Sequence, residues 1–230
     1  MRCRALVADI DGTLTIDRST YELSLEAVAA LRRARDSGLR AALATANGLD
    51  YALSISRYLG VGSVIAENGC IVYVDGEVVE LCAGDAGNVV KRALATGTVR
   101  ESEQNRCRKY DMAFYPLVDP AEAVKALRGA LGEEYDVEYS GYAIHVRPKG
   151  YNKGTGLRYL CKVWGIPCGL VAVVGDSEVD APMLELGWGI AVGNADGAAK
   201  RAARLTVEDP SGFGFAYAVD LILRGLACVD

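Results

Sequence analysis

From Gly169 to Val174 the chain reads Gly-Leu-Val-Ala-Val-Val, without one polar side chain. A strand apolar on both pleat faces must be covered on both, which is how a central strand of a parallel sheet is written. Other segments fit that demand. Short apolar runs lie in Arg4 to Ala8, Leu39 to Ala44 and Ser63 to Ala66. Helical patterns separate them. Ser24 is a plausible N-cap for a segment carrying Leu25, Val28, Ala29 and Leu31, closed near Gly38, and a second helix runs from about Asp50 to Leu59. This β-α-β-α-β order predicts an α/β fold with a Rossmann-like, doubly wound parallel sheet.

The alternation then breaks. Cys70 to Leu81 reads as a hairpin turning at Asp75-Gly76. Beyond it the pattern is that of a small α+β unit. It has helices at Asp85 to Ala95 and Pro120 to Leu131, and strands at Met112 to Leu117, Val137 to Tyr139 and Tyr142 to Val146. Arg147-Pro148-Lys149-Gly150 is a breaker cluster and reads as a linker. The α/β order returns with helices at Lys153 to Trp164, Val179 to Leu186 and Ala195 to Ala203, and strands at Gly189 to Val192 and Leu205 to Val207. A last helix, Phe213 to Leu226, would pack through Phe213, Phe215 and Tyr217. A catalytic core of residues 1–81 and 153–230 is therefore expected, interrupted by an α+β domain at 82–152.

Composition removes several function classes. Half the residues are hydrophobic, too many for a disordered chain. A net charge of -5 without a basic patch argues against nucleic-acid binding. No apolar run approaches the ~20 residues of a membrane span, and the run before Asp9 is short of the ~7–15 of a signal peptide. With one histidine, a multi-histidine metal site is excluded. The seven cysteines form no Cys-x-x-Cys pair and read as reduced, buried thiols of a cytoplasmic protein. Partners reduce to a small-molecule substrate, with a homodimer left open.

Two acidic turns carry the chemistry. Asp9-Ile10-Asp11-Gly12-Thr13 follows the first apolar strand, and Gly175-Asp176-Ser177-Glu178-Val179-Asp180 follows the most apolar one. In open α/β sheets, ligands bind beyond the carboxyl ends of the strands. Carboxylates crowded there repel one another unless a cation intervenes, and their hard oxygens suit Mg²⁺. Helix capping is the competing reading for Asp176 and Ser177. Thr45 closes the Leu39 to Ala44 strand, where a hydroxyl beside backbone N–H groups can hold a phosphate. Lys153 opens a helix, a position unfavourable for its charge unless the charge is used. Together these groups are equipment for phosphoryl transfer.

Asp9-Ile10-Asp11-Gly12-Thr13 resembles the first motif of the haloacid dehalogenase-like hydrolase superfamily. Thr45, Lys153 and Gly175-Asp176 with Asp180 match its second, third and fourth motifs in order. The insertion falls between the second and third, where that superfamily carries its second cap type. Glu67-Asn68-Gly69 resembles the turn of the Cof-like, subtype B cap branch, and the compact cap resembles that of the archaeal phosphoglycolate phosphatases. The resemblance implies Asp9 as nucleophile and metal ligand, and Asp11 as acid–base with its main-chain carbonyl on the metal. It implies Thr45 and Lys153 on the phosphoryl group, Asp176 and Asp180 on Mg²⁺, and Asn194 near the phosphate. The implied activity is Mg²⁺-dependent hydrolysis of a small phosphomonoester through an aspartyl-phosphate, with 2-phosphoglycolate leading. A broader sugar-phosphate or phosphoglycerate-type phosphatase, a phosphomutase and a non-catalytic phospholigand-binding protein are the alternatives. Two departures stand out. Ala46-Asn47-Gly48 replaces the glycine and arginine usual after the second motif, and Val179 replaces an asparagine in the fourth. In the cap, Asn105, Arg106, Arg108, Lys109 and Tyr110 read as a solvated loop, with a substrate-carboxylate grip as the functional alternative. His145, with no visible partner, reads as a structural histidine on a strand.

Overall fold

The computed structural model describes residues 2–228. The chain opens with β1 (Ala5–Asp9), α1 (Leu25–Asp36), β2 (Arg40–Ala44), α2 (Leu49–Leu59) and β3 (Ser63–Ala66). The hairpin β4 (Ile71–Val74) and β5 (Glu77–Glu80) follows, turning through positive φ at Asp75 and Gly76. The inserted unit comprises α3 (Ala86–Leu94), β6 (Val99–Glu101), β7 (Met112–Pro116), α4 (Pro120–Leu131), β8 (Tyr135–Tyr139) and β9 (Ile144–Pro148). The first layer resumes with α5 (Lys153–Trp164), β10 (Val171–Gly175), α6 (Ala181–Leu186) and β11 (Trp188–Ala191), and ends with α7 (Gly197–Ala202), β12 (Leu205–Thr206) and α8 (Ser211–Leu223).

Eight strands form the main sheet in the order β12-β11-β10-β1-β2-β3-β4-β5. Pairing is parallel from β12 to β3, and the β4–β5 hairpin extends the sheet antiparallel. Strand order reverses between β1 and β10, which makes that crevice the switch point where α/β folds bind ligands. Both faces of the central strands are covered, as their sequence requires. Leu6, Ala8, Ala172 and Val174 pack with α1 and α8, while Ala5, Val7, Val171 and Val173 pack with α5 and α6. Ser24 caps α1 through the Ala27 N–H.

The register aims the site. Ala8 pairs with Val174 across β1–β10, so Asp9 and Gly175-Asp176 leave the sheet side by side. Asp9 pairs with Ala44 across β1–β2, which brings Thr45 to the same edge.

The inserted unit is a four-stranded antiparallel sheet, β6-β7-β9-β8. Met112, Phe114, Ile144 and Val146 pack one face of it onto Val89 and Ala93 of α3 and Leu127 and Leu131 of α4. By strand alternation, Ala113, Tyr115 and His145 point the other way, toward the carboxyl edge of the main sheet.

Three expectations change, and one strand was not anticipated. Arg147 and Pro148 belong to β9, paired with Asp136 and Tyr135, and the turn is at Lys149-Gly150. Proline is tolerated because pairing with β7 ends at Val146, so its missing N–H is not required there. Strand β6 carried no expectation. Of the three aromatic residues of α8, Phe215 is fully buried, while Phe213 and Tyr217 are about half exposed. Spacing by two residues spreads side chains around a helix rather than along one face. The cysteines are not reduced thiols. Cys3–Cys228, Cys70–Cys82 and Cys161–Cys168 are disulfides, and Cys107 alone is free and exposed. The first pair lies 225 residues apart in sequence, and its two cysteines share the core formed by the main sheet, α1 and α8.

Candidate active site

The buried cation Lys153 organises the floor of the site. It is the first residue of α5 and 1% exposed. Its ammonium donates to Asp9 Oδ1 at 2.5 Å and Asp180 Oδ1 at 2.6 Å. Burial disfavours the lysine charge, but these two carboxylates outweigh it and raise the Lys153 pKa. The unfavourable helix position is thereby explained, since α5 delivers the charge between two aspartates. Asn152 caps the helix through Thr155 N–H.

Asp180 is held by a turn built for it. Its Oδ2 accepts from the N–H groups of Asp176 and Ser177 and from Ser177 Oγ. The capping reading of Ser177 is therefore also correct, since Ser177 and Asp180 form a capping box. Asp176 accepts from Thr13 Oγ1 at 3.4 Å and from Arg18 Nε, and the same arginine reaches the Asp176 carbonyl. Gly12 sits at φ +86°, where a Cβ would lie 2.3 Å from Asp176 Oδ2. Only glycine lets the first acidic turn approach the second this closely.

Asp9, Asp176 and Asp180 each place a carboxylate oxygen within 4.8 Å of the others, and all are buried. Burial, and then the charge of Asp180, push the Asp9 carboxyl well up despite Lys153. Burial and Asp180 likewise push Asp176 up to about 7, against Arg18. Crowded, desolvated carboxylates with hard oxygen donors fit a divalent cation.

Asp11 stands above this floor. Its Oδ2 accepts from Asn47 Nδ2 at 2.9 Å, while its Oδ1 is buried without a partner. Burial raises its pKa against the pull of Lys153, Asn47 and Arg108. Asn47, which occupies the departure after the second motif, is thus a site residue that sequence reasoning missed. The departure itself was the available signal.

Two expected residues lie behind the cavity wall. Thr45 is fully buried, and its Oγ1 accepts from the Asn47 N–H and Nδ2. Asn194 turns its Nδ2 to the Gly12 carbonyl at 3.1 Å and accepts from Ser211 N–H, so its amide supports the first acidic turn. Neither lines the cavity, which measures ≈ 530 Å³ and is shared between the sheet edge and the inserted unit.

The two units are joined through Glu67, Asn68 and Gly69, which follow β3. All three have positive φ. Gly69 must be glycine, because a Cβ there would lie 1.9 Å from the Asn152 carbonyl oxygen. Glu67 accepts from the N–H groups of Lys109, Tyr110 and Asp111. Asn68 Nδ2 donates to Asp111 Oδ2 at 2.9 Å. The basic cluster therefore separates into different fates. Lys109 and Tyr110 reach Glu80 at the surface, Asn105 braces Ala113, and Arg108 turns inward with a side chain 3% exposed. The solvated-loop reading fails for Arg108. His145 also has a partner, Asp111 Oδ2 at 2.9 Å from Nδ1, and it lines the cavity.

A family model described as haloacid dehalogenase-like hydrolase matches residues 6–91 and 98–219. The chain belongs to that family. A phosphoglycolate phosphatase of Pyrobaculum neutrophilum is 60% identical over 228 residues, covering 99% of each chain. Among solved structures, a Thermoplasma acidophilum protein superposes with a TM-score of 0.86 at 24% identity, covering 97% of this chain and 99% of that one. A sugar phosphatase of subclass IIB superposes with a TM-score of 0.76 at 21% identity, covering 94% and 98%. These two likenesses show the α/β fold. Among the described residues, no helix is long and apolar enough to cross a membrane.

Proposed function

We propose that this chain is a Mg²⁺-dependent phosphatase of small phosphomonoesters, with 2-phosphoglycolate as its leading substrate. The supporting observation is the cluster of Asp9, Lys153, Asp176 and Asp180 at one sheet edge, with Asp11 above it on a raised pKa. The substrate is favoured by the 60% identical relative that bears the name phosphoglycolate phosphatase.

In this reading Asp9 attacks phosphorus and the ester oxygen leaves. Asp11, kept protonated more readily by burial, gives that oxygen its proton. Asp11 then takes a proton from the water that hydrolyses the aspartyl-phosphate, splitting one difficult step into two. Asn47 Nδ2 on Oδ2 holds the carboxyl in position through both roles. Lys153 offsets charge between Asp9 and Asp180, and Thr45, whose Oγ1 accepts from the Asn47 N–H and Nδ2, positions Asn47 from behind the cavity wall. Asn194 acts as a positioning residue through Gly12 rather than on phosphate. Mg²⁺ on Asp9, Asp176 and Asp180, with the Asp11 main-chain carbonyl, would neutralise the phosphoryl oxygens. The inserted unit, residues 82–152, serves as the cap that excludes water during the first step. A cytoplasmic setting loses its support from reduced cysteines, since six of the seven are paired.

A second reading, a broader sugar-phosphate or phosphoglycerate-type phosphatase, draws on the ≈ 530 Å³ cavity, ample for larger esters. Phosphate release from phosphoglycolate, phosphoglycerates, hexose phosphates and nitrophenyl phosphate, with Mg²⁺ and with EDTA, separates the two. The leading reading expects Mg²⁺-dependent release with phosphoglycolate preferred. Even release across the panel selects the second, and no release from any ester ends both.

A further inference from the structure

The phosphoryl chemistry uses the floor of the cavity and leaves its roof unexplained. Among the described residues lining it are three cationic side chains and one imidazole: Lys153, Arg18, Arg108 and His145. Lys153 is shared between Asp9 and Asp180, and Arg18 is held by Asp176. Arg108 is placed differently. Its NH1 donates to the Ala46 carbonyl and to the Asp111 carbonyl at 3.1 Å, and its NH2 reaches exposed Gln104 at 3.3 Å. Its Nε is buried without any partner.

An unpartnered guanidinium N–H is costly to bury, and the flat fork of arginine matches a carboxylate with two parallel bonds. His145 lies beside it, since Asp111 Oδ2 touches both, at 2.9 Å from His145 Nδ1 and 3.4 Å from Arg108 NH1. A carboxylate only accepts, so Asp111 fixes Nδ1 as the N–H side of the ring. His145 Nε2 makes no hydrogen bond among the described residues. Asp111 is itself tied to the main-sheet unit by Asn68.

We propose that Arg108, with His145 beside it, receives the carboxylate of an anionic substrate while Asp9 takes its phosphoryl group. Asp111 is the positioning residue that aims both. The inference rests on the phosphatase reading above and names the groups that select a carboxylate-bearing ester. The arginine missing after the second motif is supplied by the cap, its NH1 bonded to Ala46 of that same loop.

The test compares 2-phosphoglycolate with ethyl phosphate, which keeps the two-carbon ester and lacks the carboxylate. Wild type should prefer phosphoglycolate in kcat/KM. Arg108→Gln should reduce that preference ratio about 100-fold, mainly through KM, and Arg108→Lys should restore part of it. His145→Gln, which leaves the Arg108 contacts to the main-sheet unit in place, should lower the same ratio about tenfold. Equal losses on both esters would make the two residues merely structural and overturn the inference. An unchanged ratio would overturn it equally. If wild type cleaves ethyl phosphate as well as phosphoglycolate, the inference falls while the phosphatase reading stands. If no ester is cleaved, the phosphatase reading falls, and calorimetric binding of 2-phosphoglycolate to wild type and His145→Gln decides the inference. Equal affinities would then end it.

Discussion

The main sheet and the inserted sheet place their working residues by different rules. In the main sheet, Asp9, Thr45 and Asp176 leave the carboxyl ends of parallel strands, and pairing of β1 with β10 and β2 brings those ends together. A short motif at the end of an apolar run is enough to specify such a position. In the inserted sheet, Tyr115 and His145 reach the cavity from strand faces, and Arg108 reaches it from the loop before β7. Their usefulness depends on which face meets the main sheet, and that is settled by the joint at Glu67 and Asp111. On the reading proposed above, chemistry is stored in turns of one unit, and selection in the docking of the other.

The largest effect should come from the turns. Asp11→Asn keeps the shape and the Asn47 contact but removes the acid, so kcat should fall about 10²–10⁴-fold on every ester alike. Steady-state kinetics on phosphoglycolate and ethyl phosphate check this. A loss confined to phosphoglycolate would assign Asp11 to selection and erase the division between the two units.

The same division explains what could be read in advance. The apolar run at Gly169 to Val174, the Ser24 cap and the Asp75-Gly76 hairpin are local signals, and the structure contains the elements they predict. The boundaries of α4 and α5 also match, because Pro120 and Asn152-Lys153 mark their starts locally. Asp9, Asp176 and Asp180 converge as expected, since parallel register follows from the pattern, and the start of α5 brings Lys153 between Asp9 and Asp180. His145 is on a strand as expected, but its partner was not visible because Asp111 lies 34 residues away on another element. The disulfide Cys3–Cys228 was invisible for the same reason, at a separation of 225 residues. Asn194 lay near the right loop, but which atoms it would touch depends on the Gly12 backbone, and no motif encodes that.

A smaller effect should come from the joint. Glu67→Ala would strip the shared acceptor from the N–H groups of Lys109, Tyr110 and Asp111. Leaving a buried donor unsatisfied costs about 1–3 kcal/mol, and water would re-enter for part of the set. A net loss of about 3 kcal/mol is expected, which lowers Tm by roughly 10 °C for a chain of this size. Calorimetry of wild type and Glu67→Ala measures it. An unchanged Tm would mean that the inserted sheet docks without its carboxylate staple, and the joint would lose its role in aiming Arg108.

The smallest effect is the acid response of Asp111. Burial opposes its charge, yet His145, Arg108 and Arg147 prevail and hold the Asp111 carboxyl below its ordinary value of 3.8. A carboxyl lowered by folding binds its proton more weakly in the folded chain than in the unfolded one. Its contribution to stability is therefore complete above about pH 5 and is lost as pH falls through the folded-state value. The site carboxyls Asp9, Asp11 and Asp176, raised by burial, act in the opposite sense, so the total acid profile of the protein mixes both. The comparison of wild type with Asp111→Asn isolates the joint. Asparagine keeps the shape and cannot titrate, so the variant should melt lower near neutral pH, and the gap in Tm should close as pH falls from about 5 to about 3. A gap that stays constant over that range would show that the Asp111 charge does not tie the inserted sheet to the main one. The selecting residues would then owe their placement to packing alone, as the catalytic turns owe theirs to register.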